Sequence, residues 1–590
     1  MRHFDYKYYI FVLIFIVCGC FLRLFQLENL PIISHRDEIA IGYNAYSILK
    51  TGRDEHGKKL PLNFRSFGDY KLPGLIYSTI PFVNFFGLNQ LAVRLPTALL
   101  ACLTLFSAYW LAAEIGMGKK ERLVFSFVFS LSFWHISQAR NAYEPMTGLF
   151  WLTMAWASWL RSFKNKFFFI PAILSYTISI FFYNVPLFLI PILFLVSTWL
   201  KQNELKSEKN KIFFLAMLLL SLIIFGGASL LFSQVNAGKT DTTVFFAPET
   251  KEFAQNLVHA GLVGGMPSRV TRVTNHWLII SLFKFVENYL ACFSPKYLFF
   301  SGDNNDWHNL KNIGLGNINP VLLIPFSLGI FSLIKNIKQQ KNRLLLLYLL
   351  TSPLLCAATI DAPVTNRLLD LHLAVMLITA LGIVQLWQKL KNKFVFYSLG
   401  VIYLGIFLLF LQRYFLIHNH HLPALWEPGV KKMIEQVDEV QNKYDAIYVT
   451  SDLEVGYTFF AFYTPFEPQN FIDQAEWIED GFVKVSRYQK YYFQDFPMWK
   501  DLTTKNVAQF FNQETDKILV VVQKQPPEKA QLVFEDLDWR GRWLWSAWET
   551  STKEAYEKLL LLPETKDRQS VKKYLQTCLD KNCQTEILLN

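Results

Sequence analysis

Runs of apolar residues recur along the first 412 positions of the chain, and most are close to the length that crosses a bilayer. A spanning helix needs about 20 predominantly apolar residues. The pattern predicts about eleven transmembrane helices, which we place at 8–27, 91–114, 123–139, 145–161, 167–183, 186–200, 212–232, 320–335, 344–360, 369–388 and 394–412. The fold class expected is therefore a polytopic α-helical membrane protein.

Clusters of basic residues follow every second apolar run. Lysine and arginine are enriched in the cytoplasmic loops of membrane proteins. The clusters therefore predict a cytoplasmic N-terminus and a multi-pass protein of the cell membrane. They are Lys119, Lys120 and Arg122; Arg161, Lys164 and Lys166; Lys201, Lys206, Lys209 and Lys211; Lys335, Lys338, Lys341 and Arg343; and Lys389, Lys391 and Lys393.

The long segments all fall on the opposite, extracytoplasmic side. They are the loops at about 28–90 and 233–319, and everything after 412. From about 428 the composition becomes that of a soluble domain, with apolar residues at helical spacing from Val430 and strand-like runs at 445–451 and 517–523. We expect two domains, a transmembrane domain at 1–412 and a small extracytoplasmic α/β domain at 413–590.

Composition agrees with a membrane protein. Of the 590 residues, 52% are hydrophobic and only 18% are charged. A net charge of +11 could indicate a nucleic-acid partner, but the basic clusters between apolar runs account for it. No small-residue cleavage site follows the first run, which favours a retained signal anchor over a cleaved signal peptide.

A polar segment at 34–73 concentrates titratable residues directly after the first apolar run. An enzyme that faces outward has no access to cytoplasmic ATP or nucleotide sugars, so a lipid phosphate is the expected energy-rich substrate. Such chemistry needs a carboxylate to accept a proton and cations to hold the departing phosphate. The segment offers both, with Asp37 and Glu38 at its start and Lys71 near its end.

Four stretches resemble a known family. HRDEIAIGYNAYSILKTGRDEHGKKLPLNF, FGDYKLPGLIY and LNQLAVRLPTALL resemble the first outer loop and second span of bacterial GT-C glycosyltransferases, of the protein mannosyltransferase and aminoarabinose transferase kind. QARNAYEPMTGLF at 138–150 resembles their second outer loop. Motifs carry the resemblance in the first half of the chain, and architecture carries it in the later spans.

The resemblance implies an inverting transfer of a sugar from a polyprenyl-phosphate donor to a protein, lipid or glycan acceptor. It implies that Asp37 is the general base, with Glu38 as its acidic neighbour. It further implies substrate-binding roles for Lys71, Glu144 and Arg140, and more loosely for Arg367, His308 and Asp303. Relatives differ in their use of metal, and no strong set of metal ligands is visible, so no cofactor is predicted and a divalent metal stays an alternative.

Plainer interpretations of these residues remain open. Asp37 could cap a helix, Lys71 could extend toward lipid head groups, and Glu144 could cap the helix that follows it. Two rival functions also remain, a transporter or flippase of lipid-linked sugars and a non-catalytic subunit of a glycan assembly complex. A transporter predicts ionisable residues in the middle of spans, whereas here they gather at outer ends.

Overall fold

The computed structural model describes residues 6–31, 35–205, 207–233, 240–303, 310–417, 427–480, 482–495, 517–523, 530–537 and 543–550. The chain forms two compact units. One, the helical unit, comprises 1–34, 61–65 and 69–423. The other, the sheet unit, comprises 35–60, 66–68 and 424–590.

The helical unit contains most of the helices, the first two residues of β1 (Phe64–Ser66) and all of β2 (Asp69–Lys71); these two strands form a two-stranded sheet. Its helices are α1 (Tyr6–Leu24), α3 (Pro73–Phe86), α4 (Gln90–Ile115), α5 (Lys119–Ser130), α6 (Phe133–Ala139), α7 (Glu144–Ser162), α8 (Phe169–Ser179), α9 (Asn184–Leu200), α10 (Glu208–Leu231), α11 (Pro248–Val263), α12 (Ser268–Thr274), α13 (Trp277–Cys292), α14 (Leu323–Lys335), α15 (Gln340–Thr351), α16 (Leu354–Ala357), α17 (Leu369–Lys389) and α18 (Lys393–Gln412). The second helix of the chain, α2 (Arg36–Thr51), belongs to the sheet unit.

Helices occupy the predicted apolar runs, which confirms a mainly helical protein. Five stretches of the described chain are long and apolar enough to cross a membrane: Tyr6–Leu24, Gln90–Ile115, Glu208–Leu231, Thr365–Lys389 and Lys393–Ile417. Turns shorten several of the others. The run at 123–139, for example, is divided after Ser130, where Ser132 caps the next helix by accepting a hydrogen bond from the amide of His135. The count of eleven spans stays a prediction.

Three of the candidate spans, α1, α10 and α18, leave long apolar faces uncovered. Phe11 and Val17 of α1, Ile223 of α10, and Phe394 and Val401 of α18 are all exposed. Apolar faces of this length are costly in water and natural in hydrocarbon, where helices satisfy their own backbone hydrogen bonds. The faces agree with a multi-pass membrane protein.

Two fully buried arginines hold the chain where it leaves α1. Arg140 donates to the carbonyls of Leu22 at 3.0 Å, Arg23 at 3.3 Å, Gln26 at 3.2 Å and Leu30 at 3.1 Å. From the first turns of α4, Arg94 donates to the carbonyls of Leu27, Glu28 and Pro31. The last carbonyls of a helix lack partners within it, and guanidinium groups satisfy them here.

A third buried arginine ties α1 itself to its neighbours. Arg23 donates to the ring of His135 at 3.0 Å and to the carbonyls of Gly19 at 2.6 Å and Ser130 at 3.0 Å. Close by, Ser132 and His372 hydrogen bond at 2.7 Å. A buried charge is costly unless hydrogen bonds satisfy it, so this network fixes the mutual positions of α1, α5 and α6.

The sheet unit is built on a seven-stranded sheet. Its strands are β3 (Ala446–Val449), β4 (Glu476–Asp480), β5 (Phe482–Tyr488), β6 (Tyr491–Tyr492), β7 (Ile518–Val522), β8 (Gln531–Leu537) and β9 (Trp543–Thr550), in the spatial order β4-β5-β6-β3-β7-β9-β8. The central strand β3 is parallel to both of its neighbours, and the outer pairs are antiparallel. The helices are α2, α19 (Val430–Val440), α20 (Gly456–Tyr463) and α21 (Pro468–Gln474).

Three predicted elements of the sheet unit are confirmed. The helix expected from Val430 is α19, which buries Val430, Met433, Ile434 and Val437. The strand-like runs are β3 and β7, and their fully buried residues explain why they read as continuous apolar stretches.

Residues 35–60 depart from the predicted organisation, which assigned them to an outer loop of the transmembrane domain. In the structure they group with the C-terminal residues. The hydroxyl of Tyr43 donates to the carbonyl of Phe466 at 3.3 Å, and the Tyr43 ring meets Phe471 edge to face at 5.5 Å. No local pattern indicates this packing, because the aromatic partners lie more than 400 positions away.

We expect Arg140→Met to lower the free energy of unfolding by at least ~3 kcal/mol, because several buried carbonyls lose their donor. The thermal midpoint of the purified protein in detergent measures the change. The matched control is Arg161→Met, which removes a partly exposed guanidinium 3.4 Å from Glu114 and should cost less than ~1 kcal/mol. Equal losses in the two variants would contradict a structural role for Arg140.

Candidate active site

The two proposed catalytic carboxylates lie in the first turn of α2, in the sheet unit. The helix is capped by His35, whose ring accepts from the amide of Asp37 at 3.3 Å and lies 3.4 Å from the Asp37 carboxylate. Asp37 is about one-third exposed, whereas Glu38 is buried. A carboxylate in this position is favoured by the helix dipole, so the geometry suits both capping and catalysis, and it distinguishes Asp37 as the accessible one of the pair.

Charged groups from the C-terminal residues surround the same end of α2. Arg36 forms an ion pair with Glu454. Glu427 accepts from Gln523 at 3.4 Å, and burial raises the pKa of Glu427 to about 7, with Glu454 and Arg36 as smaller influences. This end of α2 therefore carries carboxylates in different environments, an arrangement that active sites use to divide acid and base roles.

A buried carboxylate closes the far end of the α2 segment. Glu55 accepts from the side-chain amide of Asn44 at 3.0 Å, and its own backbone amide donates to Asn44 Oδ1 at 3.1 Å. Burial raises the pKa of Glu55 to about 8. Beside it, the ring of His56 lies 4.1 Å from that of Trp477. The middle of the predicted polar segment is thus a packed structural element of the sheet unit.

Lys71 lies in the helical unit, at the end of β2 and directly before α3. It is partly exposed. The start of α3 is held by a hydrogen bond from the amide of Gly74 to the carbonyl of Phe181 at 2.8 Å. A Cβ on Gly74 would lie 2.6 Å from that carbonyl, so only glycine allows this approach.

Further polar residues of the helical unit lie around the turn that begins at Phe181. We call Tyr183, Glu144, Arg367 and Asp370 the polar cluster. Its central residue, Tyr183, lies within electrostatic range of Arg367, Asp370 and Glu144. Glu144 begins α7, and Gly148 one turn later lets that helix approach Tyr183 closely. Glu144 and Arg367 therefore both lie within electrostatic range of Tyr183, on a turn whose first residue, Phe181, accepts a hydrogen bond from the start of α3.

Arg367 is held in place by its own segment. Its guanidinium donates to Asp361 at 2.7 Å and to the hydroxyl of Thr359 at 3.0 Å. About one-third of its side chain is exposed. An arginine with a fixed orientation and an exposed edge is suited to binding an anion such as a phosphate.

The remaining predicted site residues are placed differently. Arg140 is fully buried, with its guanidinium engaged by backbone carbonyls. Asp303 is also buried and accepts from the amide of Thr365, so it fixes the segment that carries Arg367. Their burial and partners favour structural roles for Arg140 and Asp303, and the substrate-binding roles stay predictions. His308 lies outside the described residues.

Sequence reasoning missed two residues of the polar cluster. Asp370 is a buried carboxylate in the first turn of α17. Its position at the end of an apolar run could have indicated a functional residue, because charges there are often functional. Nothing in the sequence indicated Tyr183, because a tyrosine between two apolar runs is common.

Within the described chain no group of three or more histidine, cysteine, aspartate or glutamate side chains is placed to hold a metal ion.

Stability should fall as pH rises through the pKa of Glu55. The folded pKa, about 8, lies above the ordinary value of 4.5, so the protonated form is favoured by folding. The protonated carboxyl of Glu55 adds on the order of a few kcal/mol to the free energy of unfolding. This contribution is complete below pH 4.5 and is lost as pH rises toward 8. We expect Glu55→Gln to raise the thermal midpoint at pH 8.5 and to leave it nearly unchanged at pH 5.

The control for that measurement is Glu439→Gln, which changes an exposed carboxylate on α19. Its midpoint should follow that of the unmodified protein at both pH values. A Glu55→Gln profile that falls with pH as steeply as the unmodified protein would contradict the assignment.

Gly148→Ala should destabilise the turn around Tyr183. An added Cβ would lie 2.9 Å from the Cβ of Tyr183 and 3.3 Å from Pro186, and overpacking of this kind costs about 1–3 kcal/mol. The matched control is Gly226→Ala in α10, where a Cβ meets no atom within 4 Å. Thermal midpoints of the two variants measure the difference, and a midpoint for Gly148→Ala as high as the control's would show that the turn adjusts freely.

The fold has known counterparts among solved structures. ArnT from Cupriavidus metallidurans bound to undecaprenyl phosphate is similar with a TM-score of 0.50 and 11% sequence identity, over 91% of this chain and 97% of that chain. The Archaeoglobus fulgidus oligosaccharyltransferase in its apo form gives a TM-score of 0.46 and 14% identity, over 78% of this chain and 64% of that longer chain.

Neither a protein-family model nor a curated protein sequence matches this chain. The structural likeness to ArnT nevertheless extends over nearly the whole length of both proteins. ArnT is an aminoarabinose transferase, the kind of enzyme that the sequence motifs resemble. The chain therefore has the fold of ArnT.

Proposed function

We propose that this protein is an inverting glycosyltransferase that moves a sugar from a polyprenyl-phosphate donor to an acceptor hydroxyl on the outer face of the cell membrane. The observation that carries the proposal is the fold likeness to ArnT over 91% of this chain, in a structure that holds undecaprenyl phosphate. Protein, lipid and glycan acceptors are all compatible with it. The motifs around Asp37, Lys71 and Glu144 support the same chemistry.

Two cations of the helical unit and the polar residues near Tyr183 give this proposal a physical basis. Arg367 is oriented by Asp361 and partly exposed, and Lys71 is partly exposed at the start of α3. Cations in a partly desolvated setting stabilise the charge that develops on a departing phosphate. Glu144 and Tyr183 add groups that can hydrogen bond to sugar hydroxyls.

In the proposed reaction the acceptor oxygen attacks the anomeric carbon of the donor sugar. The bond from that carbon to the phosphate oxygen breaks, and polyprenyl phosphate leaves with the electron pair. The carboxylate of Asp37 takes the proton of the acceptor hydroxyl, and Glu38 is the acidic neighbour. Lys71 and Arg367 bind the phosphate. Each of these roles is a proposal that the resemblance supplies.

Contacts inside the helical unit support the proposed topology. Lys341 lies 3.1 Å from Glu121, and Lys164 lies 3.1 Å from Glu114. These residues come from segments that the basic clusters assign to the cytoplasmic side, and each contact joins two of those segments. We propose eleven spans, a cytoplasmic N-terminus and an extracytoplasmic C-terminal domain.

Asp37→Asn should reduce sugar transfer by at least about a hundredfold, because the amide cannot accept the proton. The measurement is release of a labelled sugar from polyprenyl-phosphate donors to membrane acceptors, with a panel of donors. Binding of the unlabelled donor should persist in this variant, whereas Lys71→Met should weaken it.

The matched control is Asp473→Asn, an exposed carboxylate on α21 that should leave transfer unchanged. Unchanged transfer in Asp37→Asn would refute the assigned base. Transfer from nucleotide sugars alone would refute the lipid donor. Movement of the lipid-linked sugar across vesicles without any transfer would favour the transporter interpretation instead.

A further inference from the structure

An apolar groove runs along the helical unit, apart from the polar cluster. Its volume is about 570 Å³, within the range of about 300–1,000 Å³ that is typical of ligand sites. It is lined by residues of α1, α5, α17 and α18, and by the start of α14 together with the two residues before that helix. Representative lining residues are Phe15, Phe127, Pro325, Ile383 and Gly400.

The groove is shaped by aromatic packing and opens toward the uncovered face of α18. Its aromatic wall is formed by Phe127, whose ring lies 5.1 Å from Phe15 and 5.7 Å from Tyr403. At its edge, Val401 is 70% exposed. Because α18 is one of the candidate membrane spans, this opening faces hydrocarbon, and a chain of methylene groups is the chemistry that matches the lining.

Positive charge lies at one end of the groove. Lys120 stands one helical turn before Val124 on α5, and Lys393 stands one turn before Tyr397 on α18. Lys389 follows the lining residue Leu386 by three positions on α17. Residues three or four apart share a helix face, so these three lysines lie just beyond the lining at the same end.

Beyond Lys393, α18 continues along the groove without a charged residue. From Phe394 to Gln412 that helix contains no charged residue. The groove is therefore lined by apolar residues, and the three lysines lie beyond the lining at the end that the sequence assigns to the cytoplasmic side. An anionic lipid in the cytoplasmic leaflet has this same asymmetry, with a negative head group at the surface and an apolar chain below it.

We propose that the groove binds one acyl chain of an anionic phospholipid of the cytoplasmic leaflet, whose head-group phosphate lies at Lys120, Lys389 and Lys393. The site is separate from the residues assigned to sugar transfer. The lipid site rests on the proposed topology but not on the proposed sugar transfer, since it concerns a structural lipid and its retention.

Two glycines of α18 provide a matched pair for the test. A Cβ added at Gly400, which lines the groove, meets no atom within 4 Å, and the same is true at Gly405, which does not line it. Gly400→Phe should therefore fill the groove without a clash. Gly405→Phe adds the same side chain to the same helix outside the groove.

The experiment titrates the detergent-solubilised full chain with dioleoyl phosphatidylglycerol or dioleoyl phosphatidylcholine and counts retained lipids by native mass spectrometry. We expect one phosphatidylglycerol to be retained by the unmodified protein and by Gly405→Phe, and retention to fall at least about fivefold in Gly400→Phe, where the side chain occupies the space of the acyl chain. The combined variant Lys120→Gln, Lys389→Gln and Lys393→Gln should lose the preference for phosphatidylglycerol over phosphatidylcholine.

Three results would overturn the proposal. One is equal retention by Gly400→Phe and Gly405→Phe. Another is equal retention of the two phospholipids by the unmodified protein. The third is displacement of the retained phosphatidylglycerol by undecaprenyl phosphate at equal concentration, which would assign the groove to a polyprenyl chain. The lysine variant leaves the groove unfilled, so it tests the head-group contact even where Gly400→Phe is unstable.

Discussion

The hydrogen bonding of buried arginines to backbone carbonyls is the constraint on which the helical unit depends. Arg94 and Arg140 together hold the carbonyls between Leu22 and Pro31, the segment that leads out of the first helix. Carbonyls at a helix end must find donors, and a guanidinium offers several in a fixed geometry. Their burial makes the geometry obligatory, because an unsatisfied charge or carbonyl there is costly.

Burial separates the roles of the charged residues. An arginine in a motif such as QARNAYEP could bind a phosphate or support the backbone, and Arg140 has the burial and the partners of a supporting residue. Arg367 has the opposite character, since it is partly exposed and oriented by an acidic neighbour. The distinction between the two rests on which side chain keeps an accessible edge.

Much of the fold could be predicted from the sequence. The period and length of apolar runs identified the helices of the helical unit, and short buried runs identified β3 and β7. The helix α3 was missed because a short segment with Pro73 and Gly74 at its start resembles a loop. The packing of Tyr43 against Phe466 and Phe471 was missed because no local pattern reports contacts between distant positions.

The candidate site divides in the same way. The order of residues alone established that carboxylates and cations gather next to the first apolar run, because charge density is a local property. Tertiary packing was needed to show that Glu144, Arg367 and Asp370 lie within electrostatic range of Tyr183, and that Glu55 is buried against Asn44. The physical reason is that hydrophobic periodicity specifies which elements form, whereas burial and hydrogen-bond partners depend on which elements pack together.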